Sequence, residues 1–255
     1  MKPNSPISRR DAVRLLAGVV GVAPFANAAH LRRERAGPPN VVFIMTDDQR
    51  QDALSVYGNR ILATPSIDRI ATGGVRFTEA FVTNSLCAPS RATFLTGLYS
   101  HKHGVLSNAG GPQFYNQPGL RDETITFPEL LQAAGYRTGI VGKWHLRSAP
   151  TGFDSSVVFG RTGGGYYDPE MLANGVRVKF RGHADDVVGD QALAFLKEQP
   201  PDRPFCLLCH FMSPHRAWRP AERFAREFDD IEVPYRARSR TGSSARMRCG
   251  VPRWL

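Results

Sequence analysis

The sequence predicts an α/β fold with a mostly parallel central sheet flanked by helices. Three observations carry this expectation. Apolar runs of strand length occur at NVVFIMTDD (40–48), RTGIVGKWHL (137–146) and RPFCLLCHFM (203–212). Each is apolar at successive positions, as strands covered on both faces require, and not alternating as a half-solvated strand would be. Segments of helical period lie between the runs, and strands alternating with helices build parallel sheets.

Taken in order, residues 40–48 read as a buried central strand ending in two carboxylates. Pro89 and Ser90 open a helix in which Leu95, Leu98 and Tyr99 fall at helical spacing. Thr126 and Glu129 form a capping box, and Pro128 sits in the first turn, where no backbone donor is lost. Ile125 and Leu130 are placed as a hydrophobic staple, and Gly135 is the expected left-handed stop. Residues 137–146 are the second strand. Residues 150–182, rich in glycine and aromatics, are expected to be long loops walling a pocket. Asp185–Glu198 reads as a helix with Val188, Ala192, Phe195 and Leu196 on one face. Residues 203–212 are the third strand, and no internal repeat is present.

The chain has 255 residues, 42% apolar and 22% charged, enough for one large domain or two small ones with a substantial core. The net charge of +10 resembles a nucleic-acid signal until it is located. Residues 1–37 carry seven Lys/Arg against two acids, and residues 235–255 carry six Arg and no acid, while residues 38–234 hold 20 basic and 21 acidic residues. A nucleic-acid footprint belongs on the folded domain, so no nucleic-acid partner is expected. The four cysteines, Cys87, Cys206, Cys209 and Cys249, are too few for a disulfide framework. Cys206 and Cys209 form a C-x-x-C inside a strand, where positions three apart point to opposite faces. They are expected to be buried thiols acting as small hydrophobes.

The paired Arg9 and Arg10 precede an apolar run, Leu15–Ala29, that contains Ala26-Asn27-Ala28. This predicts residues 1–29 as a twin-arginine signal peptide cleaved near Ala28. The expected partner is the twin-arginine export machinery, and the expected location is the bacterial periplasm or the exterior. The run is too short to span a bilayer comfortably, so no stable membrane anchor is expected. Residues 30–38 read as a linker.

Reactive side chains collect at the strand ends. The first strand ends in Asp47-Asp48, the second in Lys143-x-His145, and the third leads to Ser213-Pro214-His215. If the strands are parallel, these ends share one edge of the sheet, where sites form in such folds. Adjacent carboxylates at a strand terminus suit a hard cation, Ca²⁺ or Mg²⁺, and equally suit a solvated helix cap. Lys143 and His145, two apart on a strand, share a face and suit an oxyanion, though an edge lysine beside a structural histidine is the blander reading. His101 and His103 follow the helix from Ser90, where imidazoles suit the negative end. Cys87 lies at that helix's N-terminus, where backbone donors and dipole lower a thiol pKa or hold an oxyanion. Arg91, one turn in, adds a permanent cation.

The run CAPSR (87–91), continuing to LTG (95–97), together with GKWH (142–145) and the upstream Asp47-Asp48, resembles the formylglycine-dependent type I sulfatases of the alkaline-phosphatase-like superfamily. The resemblance covers about Pro39 to Pro234. It implies the alkaline-phosphatase-like sulfatase fold and makes residues 39–234 the N-terminal part of a sulfatase catalytic domain. In that family the motif cysteine is converted to Cα-formylglycine, which makes Cys87 a precursor. One hydroxyl of the aldehyde hydrate attacks a sulfate ester, and the other expels sulfate. The resemblance further implies that Arg91 holds the hydrate. Asp47, Asp48 and the converted Cys87 ligate Ca²⁺. Lys143 binds sulfate, His145 lies beside the formylglycine, and His215 contacts sulfate and assists the leaving group. Pro89 and Ser90 would be read by the formylglycine-generating system. The stretches FMSPHRAWRP (211–220) and GYYDPEMLANG (165–175) look most like bacterial glycan sulfatases, including N-acetylglucosamine-6-sulfatase-like members. The implied activity is hydrolysis of a sulfate ester of a glycan or aryl sulfate. The alternatives are a phosphodiester or phosphonate monoester hydrolase of the same superfamily, or a truncated fragment without catalysis.

The pattern then breaks. The family's downstream Asp-Asn-Gly or Asp-His-Gly strand end and further lysine have no counterpart here, so the fold is expected to be incomplete at its C-terminus. Residues 235–255, with six arginines and no amphipathic period, are expected to be a frameshift product, and the chain to show little or no sulfatase activity.

Overall fold

A computed structural model describes residues 37–108, 119–121, 123–160 and 165–232. The expected signal peptide, most of the linker and the Arg-rich tail lie outside the described residues. The chain divides into two units, Met1–Pro39 and Asn40–Leu255, and every strand and helix named below belongs to the second.

The strands are β1 (Val41–Met45), β2 (Arg137–Gly142), β3 (Ser155–Phe159), β4 (Glu170–Ala173), β5 (Val176–Lys179) and β6 (Phe205–His210). They form one sheet in the order β1-β6-β2-β3-β4-β5. The first four in that order run parallel, while β4 and β5 are antiparallel additions. The helices among the described residues are α1 (Pro65–Gly73), α2 (Cys87–Thr96), α3 (Ser100–His103), α4 (Phe127–Ala133) and α5 (Ala184–Lys197). None of them is long and apolar enough to cross a membrane.

Two apolar clusters cover the two faces. One joins Ala88, Ala92 and Leu95 of α2 to Ile140, Cys206 and Leu208, and the other joins Val188, Ala192 and Phe195 of α5 to Val141, Leu207 and Cys209. Cys206 and Cys209 thus point to opposite faces, as their spacing predicts, and burial pushes both thiols up to about 11. Strand β6 lies between β1 and β2, and Leu207 and Leu208 are fully buried. Each such leucine contributes about 2 kcal/mol through apolar surface removed from water.

Three expectations need correction. Strand β1 is not central: among the described residues it pairs with β6 on one side only, and Val41, Val42 and Ile44 are exposed. Residues 150–182 are not all loop. They supply β3 and the β4–β5 hairpin, whose Asn174-Gly175 turn has φ of 47° and 84°. Left-handed backbone at both central residues is what a tight two-residue hairpin demands, and Asn-Gly supplies it at least steric cost. Finally, α2 stops at Gly97 (φ 69°), so Leu98 and Tyr99 lie outside it and remain exposed.

The capping of α4 is as expected, with the Glu129 carboxylate accepting from the Thr126 N–H at 2.7 Å and from its hydroxyl at 2.8 Å. Gly135 is left-handed (φ 90°), while Ile125 and Leu130 both remain exposed.

Candidate active site

Parallel pairing brings the ends of β1, β6 and β2 level. Met45 registers with His210, and Gly142 registers with the same residue from the other side. The Asp47 N–H donates to the Ser213 carbonyl at 3.1 Å, tying the chain beyond β1 to the chain beyond β6. Above this edge sits the first turn of α2. Leu86 provides no side-chain cap, but the Ala88 N–H donates to Asn108 Oδ1 at 2.8 Å, so one of the orphan donors beside Cys87 is satisfied from a distant loop.

Asp47 is the hub. It is 5% exposed, and its Oδ2 receives Lys143 Nζ at 2.5 Å and Arg91 Nη2 at 3.2 Å. Its Oδ1 faces Cys87 Sγ at 3.5 Å, and Lys143 Nζ also lies 3.8 Å from that sulfur. Burial raises the Asp47 pKa, but the Lys143 hydrogen bond and the two cations outweigh it, so the carboxyl is held below its ordinary value. Two buried cations on one carboxylate leave a local excess of positive charge beside Cys87, a setting that attracts an anion.

Cys87 begins α2, yet its thiol is not activated as the helix start suggests. Burial, with contributions from Asp47 and Asp48, outweighs the opposing Lys143 and pushes the thiol above its ordinary value. An intact Cys87 is therefore a protonated thiol at neutral pH and a poor thiolate nucleophile. That outcome suits a precursor better than a working cysteine.

Lys143 and His145 lie beyond β2, so the strand alternation that seemed to pair them does not apply. Lys143 is buried, whereas His145 is exposed and left-handed (φ 57°). Much of His145 is open to solvent, but its ring loses water on the protein side and stands near Lys143 and Arg91. In that order, these effects push its pKa down to about 4. His145 is thus a neutral imidazole at pH 7.

Beyond β6, the Met212 and Ser213 N–H groups donate to Asp185 Oδ1 at the start of α5, at 3.0 and 3.4 Å, and the Tyr166 hydroxyl donates to the His215 carbonyl. This holds His215, whose Nδ1 lies 2.5 Å from the Arg216 carbonyl and whose Nε2 lies 3.7 Å from Asp48 Oδ2. Because a carbonyl only accepts, Nδ1 carries the hydrogen and Nε2 faces the site.

The metal expectation can be tested on this donor set. Asp47, Cys87 and His215 each bring a ligand atom within 4.8 Å of one another. Asp48, whose side chain is 59% exposed, stands outside that trio, facing His215. With Oδ2 of Asp47 taken by cations, Oδ1 remains for a metal, and the carboxylates of Asp47 and Asp48 fit one flank of an oxygen-ligated dication. His103 is different in kind. It is buried, with Nε2 3.1 Å from Thr93 Oγ1 and Nδ1 accepting from Val105 at 3.1 Å, and burial lowers its pKa. It braces α2 from α3 and does not act as a cation at a helix end. His101 stays exposed, stacked on Tyr99.

Asn108, Tyr166 and Asp185 were not singled out by the sequence as site residues. Only Asp185 left a signal, as an acid in the first turn of a predicted helix.

Residues 39–246 match the family model described as Sulfatase. The chain belongs to the sulfatase family. Among sulfatases, it is 40% identical over 211 residues to the N-acetylglucosamine-6-O-sulfatase of Bacteroides thetaiotaomicron, covering 82% of this chain and 36% of that protein. It is 45% identical over 116 residues to human arylsulfatase H, covering 44% of this chain and 21% of that protein. A solved sulfatase structure in complex with its substrate D-glucosamine-2-N,6-O-disulfate superposes with a TM-score of 0.73 at 40% identity, covering 79% of this chain and 40% of that one. The chain thus spans well under half the length of these sulfatases. Its mixed sheet with flanking helices is part of their alkaline-phosphatase-like fold.

Proposed function

We propose that this chain carries the nucleophile and the anion-gripping residues of a sulfuric ester hydrolase that acts on a sulfated glycan, with an amino sugar 6-sulfate as the favoured class. The observation that supports it most is the meeting of Cys87, Asp47, Arg91 and Lys143 within hydrogen-bonding reach at the carboxyl edge of the sheet. The relatives named for, or bound to, glucosamine sulfates support the substrate class.

In this reading Cys87 is converted to Cα-formylglycine by the formylglycine-generating system, which supplies a hydrated aldehyde as nucleophile. Lys143 supplies fixed positive charge beside it for the sulfate oxygens. Arg91 holds Asp47 so that Oδ1 faces residue 87. His145, neutral at pH 7, offers a hydrogen bond to a sulfate oxygen, and His215, anchored through Nδ1 on the Arg216 carbonyl, would pass a proton borne on Nε2 to the leaving-group oxygen. Asp47 and Asp48, with the oxygen of the converted Cys87, would hold Ca²⁺, which supplies polarising charge on the sulfate. Export by the twin-arginine route to the periplasm or beyond belongs to the same proposal and rests on residues 1–29.

Mass analysis of the peptide carrying Cys87, after co-expression with a formylglycine-generating system, tests it. The expected result is replacement of the sulfur by an aldehyde oxygen. An intact thiol in protein that hydrolyses a sulfate ester overturns the mechanism. Faster turnover of an aryl phosphate diester than of an aryl sulfate overturns the substrate class.

A further inference from the structure

His210, the last residue of β6, is fully buried and has no part in the proposed reaction. Its ring meets Phe43 and Phe94 edge-on, at centroid distances of 6.4 and 6.0 Å. Nδ1 lies 3.1 Å from the Lys143 carbonyl, so Nδ1 carries the hydrogen, and Nε2 is buried without a partner. Burial, reinforced by Arg91, keeps the ring neutral, with its pKa pushed down to about 3.

Both backbone polar groups of Lys143 go to this one residue. The Lys143 N–H donates to the His210 carbonyl at 2.8 Å, and the Lys143 carbonyl accepts from the His210 ring. The same carbonyl accepts from Arg91 Nη1 at 2.9 Å. Strand β2 ends at Gly142, so this buried carbonyl has no ladder partner and depends on these two donors. Gly142 permits the close approach: its φ is 101°, and a Cβ there would stand 1.9 Å from the His210 carbonyl oxygen.

We propose that His210 is a positioning residue of the anion site: its Nδ1–H and Arg91 together clamp the Lys143 carbonyl, and the clamp sets where the Lys143 ammonium stands relative to Cys87 and Asp47. The inference rests on the reading of Lys143 as the sulfate-gripping cation. A buried imidazole kept only for packing would be replaceable by another aromatic ring. A clamp needs a donor at the δ position, which asparagine reproduces and glutamine and phenylalanine do not.

The test uses the whole chain and inorganic sulfate as the probe, with affinity measured by calorimetry and hydrogen exchange followed across residues 143–145. His210→Phe and His210→Gln should each weaken sulfate binding and speed exchange about tenfold, the scale of one lost buried hydrogen bond, while His210→Asn stays within about twofold of the unaltered chain. His210→Phe matching the unaltered chain in both readouts overturns the clamp, as does His210→Asn failing as badly as His210→Gln. If His210→Phe does not fold, the asparagine and glutamine pair decides alone. If the unaltered chain does not bind sulfate, the reading of Lys143 as the sulfate-gripping cation is at fault, and the exchange rates still decide the clamp.

Discussion

Strands β1 and β6 are neighbours in the sheet, both read as continuous apolar runs, and both lead into the site, yet they live in different surroundings. Strand β6 is paired on both sides and buried from Cys206 to His210, whereas β1 is paired on one side and leaves Ile44 55% exposed. The end of β1 reverses this, because Asp47 just beyond it is among the most buried charged groups described. Apolar patterning therefore places the strands, but the burial of Asp47 comes from α2 and from two cations, not from the strand that delivers it.

That contrast can be broken at several points. The largest effect is expected for Asp47→Ala, which strips the shared counter-charge from Lys143 and Arg91 and should cost about 3–5 kcal/mol in urea unfolding. A loss below about 1 kcal/mol would show that Asp47 is not the tie that buries the end of β1. Leu208→Ala, in the fully buried strand, should cost about 3 kcal/mol through lost burial and a residual cavity.

Acidity comes next. His210 and His145 are held below the ordinary histidine value, to about 3 and about 4. The unfolded chain therefore binds protons that the folded chain refuses. Their contribution is complete above the unfolded value of 6.5 and is lost as pH falls through 4 and then 3. Asp47, also lowered, acts in the same direction below 3.8. Urea midpoints should fall steadily from pH 6.5 to pH 4, and His210→Asn should make the fall shallower. A flat profile would mean that these rings are solvated. The smallest effect is expected for Ile44→Ala on exposed β1, under about 1 kcal/mol. A loss equal to that of Leu208→Ala would abolish the distinction between the two strands.

Much of this was legible in the chain. Strand-length apolar runs gave β1, β2 and β6, and the Thr126–Glu129 spacing gave the start of α4. The residues at three strand ends and one helix start gave the constellation of Asp47, Cys87, Arg91, Lys143 and His215. Strand order was not legible, because an apolar run reports coverage wanted and not coverage obtained. The β4–β5 hairpin was missed although Asn174-Gly175 announced it: its flanks, EMLA and VRVK, are four residues each, and EMLA does not alternate. The sign of the Cys87 shift was missed because a helix start is visible in sequence, while the desolvation that outweighs it depends on what closes over the sulfur. The role of His210 was not legible, since its partner lies 67 residues away.

The hairpin gives the sheet a direction. Its outer strand β5 is short, solvent-facing and studded with Arg177 and Lys179, which discourage another strand from docking there. The opposite margin, β1, is five residues of uncharged VVFIM. One border of the sheet is thus guarded and the other receptive. A strand joining the receptive border in parallel would deliver its carboxyl end beside Asp47 and Asp48.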